Sequence, residues 1–339
     1  MIKRNSIGKT GVEVTEIGFG CAPIGDLFTA VSSETVNKTL ETAWNTGIRY
    51  FDTAPYYGHG KSEHRLGEFL RSKNKDQFIV STKVGRVLEP TGRSPTPESD
   101  IWINPSPYSI KFDYTYDGIM RSYEDSLQRL ALGYVDLLLI HDLDTQYHQT
   151  EERVTALMYE MASSGWRAIE ELKSCGAIKG IGAGINYSGL IPRFLDLMDL
   201  DFFLVAGDYN LLDQNVLDEE FPRCNEAGVM IVVGALFASG ILATGVSPNA
   251  TYRYESPPLE IINKVRKIEK LCENYNIDLA TAALQFPLAH PLVIAEIPGA
   301  TDPHFVTENA KKLATPIPSE FWSQLKKENL LREDAPIPS

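Results

Sequence analysis

Eight short apolar runs are spaced along the chain, at 16–20, 48–52, 78–82, 135–140, 178–184, 202–206, 229–234 and 292–297. They are rich in Val, Ile, Leu and Phe, and most lack strict apolar–polar alternation. That is the pattern of strands buried on both faces of a parallel sheet. Between them the period changes. Met120, Tyr123, Leu127 and Leu130 recur at helical spacing, as do Val154, Leu157, Met158, Met161, Ile169 and Leu172, and again Ile262, Val265, Ile268 and Leu271. Gly133, Gly176 and Gly228 stand where helices should stop before the next strand. Eight β-then-α units predict an α/β fold, a (β/α)8 TIM barrel in one domain over 1–339, with a C-terminal helix and tail from about 313. The competing arrangement is an open doubly wound sheet. Against it, Gly18-Phe19-Gly20-Cys21-Ala22-Pro23 breaks the dinucleotide-binding glycine pattern after two glycines.

Two connections are unusually long. One, about 84–116, holds Pro90, Pro97, Pro105 and Pro107 beside Trp102, Phe112, Tyr114 and Tyr116; the other, about 236–257, holds Gly240, Gly245, Pro248 and Pro257. Both leave strand C-termini and should overhang the barrel mouth as lids or binding walls.

Four polar residues follow apolar or β-rich segments. Asp52, Lys83 and His141 end three of them, and Tyr57 lies in the turn Asp52-Thr53-Ala54-Pro55-Tyr56-Tyr57-Gly58. In a parallel barrel all four side chains gather at the C-terminal mouth, where such barrels do their chemistry. A free phenol has a pKa of about 10. A neighbouring ammonium favours the phenolate and lowers that value. Lys83 is the ammonium, Asp52 its counter-charge, and His141 directs a ring N–H, or accepts a bond, at a substrate oxygen. The plain alternative is four polar residues landing separately at strand ends.

Composition narrows the function classes. Hydrophobic residues make up 43% of the chain and charged residues 23%, as in a globular protein. With 32 Lys+Arg against 45 Asp+Glu, the formal charge of −13 argues against a general binder of nucleic acid or anionic membrane. Cys21, Cys175, Cys224 and Cys272 include no CxxC pair and read as reduced thiols. No apolar signal core follows Met1, and no apolar run approaches the ~20 residues of a membrane span, so the expected location is the cytoplasm. Neither a metal site nor an oligomeric state is indicated by ligand spacing or composition.

The segment from Asp52 to Gly58, with Glu63 beyond, resembles the signature of the aldo-keto reductase superfamily. Ser81-Thr82-Lys83, Leu127-Gln128-Arg129-Leu130 leading to Tyr134-Val135-Asp136 and His141, and Ile297-Pro298-Gly299-Ala300 followed by Glu308-Asn309 agree with it. The likeness runs from the turn Gly8-Lys9-Thr10-Gly11 to about residue 312. It implies a barrel that binds an extended nicotinamide dinucleotide, with direct hydride transfer and no metal. It also implies Tyr57 as proton donor or acceptor, Lys83 and Asp52 as its tuning pair, and His141 as guide of the substrate oxygen.

The cofactor residues implied are Asn186, Leu236, Ser239, Gly240, Leu242, Gly299, Ala300, Glu308 and Asn309. Several depart from the family pattern. In Gly182-Ala183-Gly184-Ile185-Asn186 the asparagine comes one place late, and Ala206 stands where a glutamine is usual. No aromatic follows strand seven, and Tyr209 is the candidate substitute. Phe237-Ala238-Ser239-Gly240-Ile241-Leu242 resembles the loop that crosses the pyrophosphate through backbone N–H groups, or is a plain Gly-rich turn. The stretch from Gly299 to Phe305 holds no Lys or Arg, and Asp302 adds repulsion. A 2′-phosphate would be desolvated there without a partner, so NAD is expected over NADP.

An NAD-using member more plausibly oxidises an alcohol. The closest resemblance, carried by residues 112–122, 182–186 and 211–214, is to the branch of NAD-dependent aldose 1-dehydrogenases, L-galactose dehydrogenase and pyridoxal 4-dehydrogenase. The expected reaction is oxidation of an aldose at C1 to a lactone. Pyridoxal oxidation, broad carbonyl reduction and a non-catalytic barrel subunit are the alternatives. Trp102, Tyr56 and Tyr114, or Tyr116, are the candidates to stack on a small sugar, alcohol or aldehyde, or else to pack the loop down. Asp113 and Asp117 bond hydroxyls or cap the next helix, with the cap favoured for Asp117.

Overall fold

All eight apolar runs form strands: β1 (Phe19–Gly20), β2 (Tyr50–Asp52), β3 (Ile79–Val84), β4 (Leu137–His141), β5 (Gly180–Ile185), β6 (Phe202–Ala206), β7 (Met230–Gly234) and β8 (Val293–Glu296). Each pairs in parallel with the next. The ends of the series then meet. Gly18 N–H donates to Glu296 O at 2.8 Å, Glu296 N–H to Glu16 O at 2.9 Å and Gly20 N–H to Pro298 O at 3.2 Å. Parallel bridges join Ile17 to Glu296 and Gly20 to Gly299, closing the sheet into the expected (β/α)8 barrel. The computed structural model describes residues 2–95, 99 and 101–338; Pro97, in the first long connection, lies outside them.

The missing alternation has a direct cause. Leu137, Leu139, Phe202, Leu204, Val232 and Ile294 pack together inside the barrel. Leu138, Ile140, Phe203, Val205, Ile231 and Val233 belong to the outer core beneath the helices. Both strand faces are dry, so both are apolar. An N-terminal hairpin pairs Arg4–Ser6 antiparallel with Glu13–Thr15. It adds Ile7, Val12 and Val14 to the inner cluster and plugs the end where the strands begin.

The helices between strands are Ser33–Thr46, Lys61–Leu70, Tyr116–Leu130, Glu151–Glu160 continued by Trp166–Ser174, Ile191–Leu197, Glu220–Ala227, Leu279–Gln285 and, after β8, Pro303–Leu313. Two more, Leu259–Tyr275 and Ser319–Lys327, pack together with the Tyr275 and Phe321 rings 5.8 Å apart. Gly176 and Gly228 take the left-handed conformation expected of helix stops. Gly133 does not; Ala131, at φ 51°, ends the helix Tyr116–Leu130 instead. Among the described residues no helix is long and apolar enough to cross a membrane.

Two motif residues hold this frame together. Buried Glu63 accepts from Thr82 Oγ1 at 2.7 Å and from Arg129 Nε at 2.5 Å. It thereby ties Lys61–Leu70 and Tyr116–Leu130 to β3. The two helices approach so closely that a Cβ on Gly67 would lie 2.4 Å from Leu130 O.

Among the described residues, both long connections contain regular structure. The first contains an antiparallel pair, Arg86–Pro90 with Tyr108–Phe112. The second folds into a 3-10 turn, Ala238–Gly240, a short helix, Ile241–Thr244, and a bridge between Tyr252 and Glu255.

Candidate active site

Lys83, one residue from the end of β3, is the centre of the mouth. Its ammonium donates to Asp52 Oδ2 at 2.7 Å, to Thr53 O at 2.9 Å and to the Tyr57 hydroxyl at 3.1 Å. An ammonium has three protons, and all three are committed. Because Tyr57 oxygen accepts, its own O–H is left to point elsewhere. Asp52 Oδ1 accepts from Ser81 Oγ at 2.7 Å, and the Lys83 and Asp52 side chains are each 1% exposed. Tyr57 is fixed by its turn. Gly58 has φ 62°, and a Cβ there would lie 2.3 Å from Gly25 O, so only glycine lets the turn dock on the β1 loop.

The charge balance on Tyr57 differs from the expectation. Burial first, then the Asp52 and Asp142 carboxylates, push its phenol well above the ordinary range. The ammonium of Lys83 alone would lower the phenol, but the dryness of the site outweighs it. The phenol is therefore a proton donor in the protein as it stands.

His141 ends β4 with its ring 5.9 Å from the Tyr57 ring, centroid to centroid, and nearly perpendicular to it. Burial, reinforced by the positive charges of Arg86 and Lys83, holds its pKa well below the ordinary value, so the imidazole is neutral. All four strand-end residues are thus brought together as the sequence suggested.

The substrate candidates divide. The Trp102 ring packs 5.3 Å from Tyr56 and 5.7 Å from Tyr57, and Tyr56 also faces His141 at 6.2 Å. Tyr114 does not line the mouth. It is fully buried, fills the space a side chain on Gly85 would occupy, and bonds His148 Nε2 at 3.0 Å. Tyr116 turns away to Glu171 at 2.7 Å. The cap of the helix Tyr116–Leu130 is Thr115, not Asp117, and Asp113 accepts from the Thr115 hydroxyl at 2.6 Å.

Comparison with known proteins agrees with this geometry. Residues 16–329 match the model of the aldo/keto reductase family. The chain is 39% identical to pyridoxal 4-dehydrogenase of Microbacterium luteolum, over 97% of this chain and 98% of that protein. It is 36% identical to D-threo-aldose 1-dehydrogenase of a Pseudomonas species, over 95% and 96%. The solved holo form of an aldo-keto reductase from Bacillus halodurans superposes with a TM-score of 0.75 at 24% identity, over 100% and 99% of the two chains. The chain belongs to the aldo/keto reductase family, and is an oxidoreductase.

Members of that family use nicotinamide cofactors. In this aldo/keto reductase a cleft lies across the ends of β5, β6 and β7, with Asn186, Tyr187, Ala206, Gly207, Ala235 and Ser239 among its lining. Its residues fit a planar ring bearing an amide. Ala206, Gly207 and Ala235 make a floor of small residues. Asn186 Nδ2 is occupied by Asp142 Oδ1 at 2.9 Å and Asp144 Oδ2 at 3.0 Å, which leaves Oδ1 to accept from a carboxamide.

Other cofactor candidates have structural uses. Leu236 and Leu242 are buried in the outer core, which restricts them to backbone contacts. The N–H groups of Gly240 and Leu242 both donate to Phe237 O, so these donors are spent inside the turn. Ser239, at φ 62°, faces the cleft. A Cβ on Gly299 would lie 2.6 Å from Pro23, so this glycine serves barrel closure. Ala300 and Asn309 are buried, and Glu308 pairs with Lys311 at 2.9 Å. Asp302 caps the helix Pro303–Leu313. Tyr209 is no substitute stacking residue: it is fully buried against Phe221 and Phe286. Sequence reasoning missed Arg253, which lines the cleft and pairs with Asp208. Its one signal was a lone cation between two tyrosines in a Gly- and Pro-rich connection.

Proposed function

We propose that this chain oxidises a small sugar or alcohol by hydride transfer to NAD, with Tyr57 exchanging the hydroxyl proton. The observation that carries this is the Lys83 ammonium held between Asp52 at 2.7 Å and the Tyr57 oxygen at 3.1 Å. The substrate carbinol sits under Tyr57 and His141, with Trp102 and Tyr56 as its apolar walls. Tyr57 as phenolate takes the hydroxyl proton, and in reverse the phenol returns it to a carbonyl oxygen. Lys83 stabilises the phenolate, while neutral His141 fixes the reacting oxygen by a hydrogen bond. Oxidised nicotinamide, when bound, supplies the hydride acceptor and a positive ring charge that opposes the upward push on the Tyr57 phenol. Asn186 and Ser239 are its proposed contacts, with the backbone of Leu236, Gly299 and Ala300, and with Glu308 and Asn309 on the nucleoside side.

NAD is preferred because residues 299–305 offer no Lys or Arg to a 2′-phosphate. The substrate proposed is an aldose oxidised at C1 to its lactone, supported by the 36% identity to D-threo-aldose 1-dehydrogenase. A second reading, oxidation of pyridoxal, is favoured by the 39% identity to pyridoxal 4-dehydrogenase. The reaction is placed in the cytoplasm, in one working domain.

A panel of aldoses and pyridoxal, assayed with NAD and NADP by absorbance of the reduced nicotinamide, tests this. We expect an aldose to give the highest kcat/KM, at least about tenfold better with NAD. Higher kcat/KM with NADP overturns the cofactor reading, and pyridoxal outrunning every aldose replaces the first substrate with the second. Fast nitrobenzaldehyde reduction with feeble turnover of both points to a broad carbonyl reductase.

A further inference from the structure

A second buried ion pair stands beside His141. Arg86 opens the antiparallel pair just beyond β3, and its side chain is 1% exposed. Its guanidinium lies 4.0 Å from the ring centroids of both Tyr56 and Tyr147. Nη2 donates to Asp142 Oδ2 at 2.7 Å, while Nε and Nη1 make no hydrogen bond among the described residues. Enclosed by aromatic rings, this cation is a fixed charge. Asp142 Oδ1 is taken by Asn186 Nδ2 at 2.9 Å. The carboxylate is therefore held from two sides.

Asp142 follows His141 directly and has φ 42°, a conformation uncommon for any residue but glycine. In this turn the carboxylate comes back onto its neighbour: Oδ2 lies 3.1 Å from His141 Nε2. On the other edge of the ring, Nδ1 is buried and has no partner among the described residues. A neutral imidazole has one proton to place. On Nδ1 it would be a buried orphan donor; on Nε2 it lies in the field of a carboxylate that takes no hydrogen bond from it.

We propose that Asp142, clamped by Arg86 and Asn186, is a positioning residue whose charge beside Nε2 keeps His141 in the Nε2–H tautomer and leaves that N–H free to bond the reacting oxygen. This rests on the reading of His141 as the group that touches that oxygen.

The clamp brings a pH dependence with it. Burial raises the Asp142 carboxyl to about 6; Arg86 opposes that rise, Asp144 adds to it, and Lys83 opposes it. The other groups facing it are neutral His141 and the phenols of Tyr57, Tyr114, Tyr147 and Tyr254. As pH falls through about 6 the carboxylate is lost, and with it the charge that keeps the proton on Nε2, so kcat/KM falls on the acid side.

Three measurements test this. Asp142→Asn should lower kcat/KM ten- to a hundredfold and abolish the acid limb near 6. Arg86→Met removes a charge that holds the carboxyl down, so its acid limb should move to higher pH, with activity regained between about pH 8 and 9. A purely structural role would lower activity at every pH without moving the limb. The third uses the unaltered protein and needs no substrate: two-bond 15N–1H spectra of 15N-histidine protein at pH 7 should show His141 uncharged and as Nε2–H. An Asp142→Asn enzyme with wild-type kcat/KM, or with the acid limb retained, overturns the proposal. So does an Nδ1–H resonance for His141. Loss of all activity in the unaltered enzyme with the Nε2–H tautomer intact would overturn the functional reading instead.

Discussion

Two buried ion pairs lie three positions apart along the chain and are built differently. Lys83 gives its three protons to Asp52, Thr53 and Tyr57, and Asp52 uses its other oxygen for Ser81. The Arg86 guanidinium makes one hydrogen bond among the described residues, to Asp142, and lies against two tyrosine rings. The first pair is saturated, and its charge ends on one phenol. The second is under-satisfied, and its carboxylate is left near the point of titration. Completeness separates a pair that carries out chemistry from one that tunes a neighbour.

The largest expected effect comes from breaking the saturated pair. Lys83→Met should lower turnover by about 10³–10⁴. It also leaves Asp52 buried and unpaired, so stability to urea should fall by about 3–5 kcal/mol. Turnover within tenfold of wild type would put Lys83 outside the mechanism. Glu63→Ala breaks a third buried pair, away from the mouth. Unfolding in urea should show a loss of about 3–5 kcal/mol, while turnover per folded molecule at low temperature stays within about twofold. A selective loss of turnover would mean that Glu63 is more than framework. The smallest effect belongs to Tyr114→Phe. It removes a buried hydroxyl that bonds His141 O at 3.3 Å and His148 Nε2 at 3.0 Å, each bond worth about 1 kcal/mol, and should leave substrate KM unchanged; a raised KM would return Tyr114 to the substrate wall.

Much of this was legible in the sequence, for identifiable reasons. Strands dry on both faces have few polar positions, so 137–140 and 202–206 stood out as unbroken apolar runs. Asp52, Lys83 and His141 end such runs, and a barrel has one place to put strand ends. What stayed hidden depends on loop geometry. Asp142 turns back on His141 through a left-handed backbone that nothing in Ile140-His141-Asp142-Leu143 announces. Arg86 meets it only because the chain after Lys83 forms an antiparallel pair. Tyr114 misled because an aromatic in a long connection reads alike as wall or as filler; Gly85, whose missing side chain makes its space, was the available clue. Leu236 and Leu242 lie in a segment where backbone and side chain serve different ends, which residue type alone does not reveal.

The contact between the Lys83 ammonium and the Tyr57 oxygen is the centre of the account, and Tyr57→Phe tests it most directly. The variant should bind NAD within about twofold of wild type by fluorescence, and in single-turnover assays should transfer hydride about 10³-fold more slowly. Hydride transfer within tenfold of wild type would contradict the role given to this phenol.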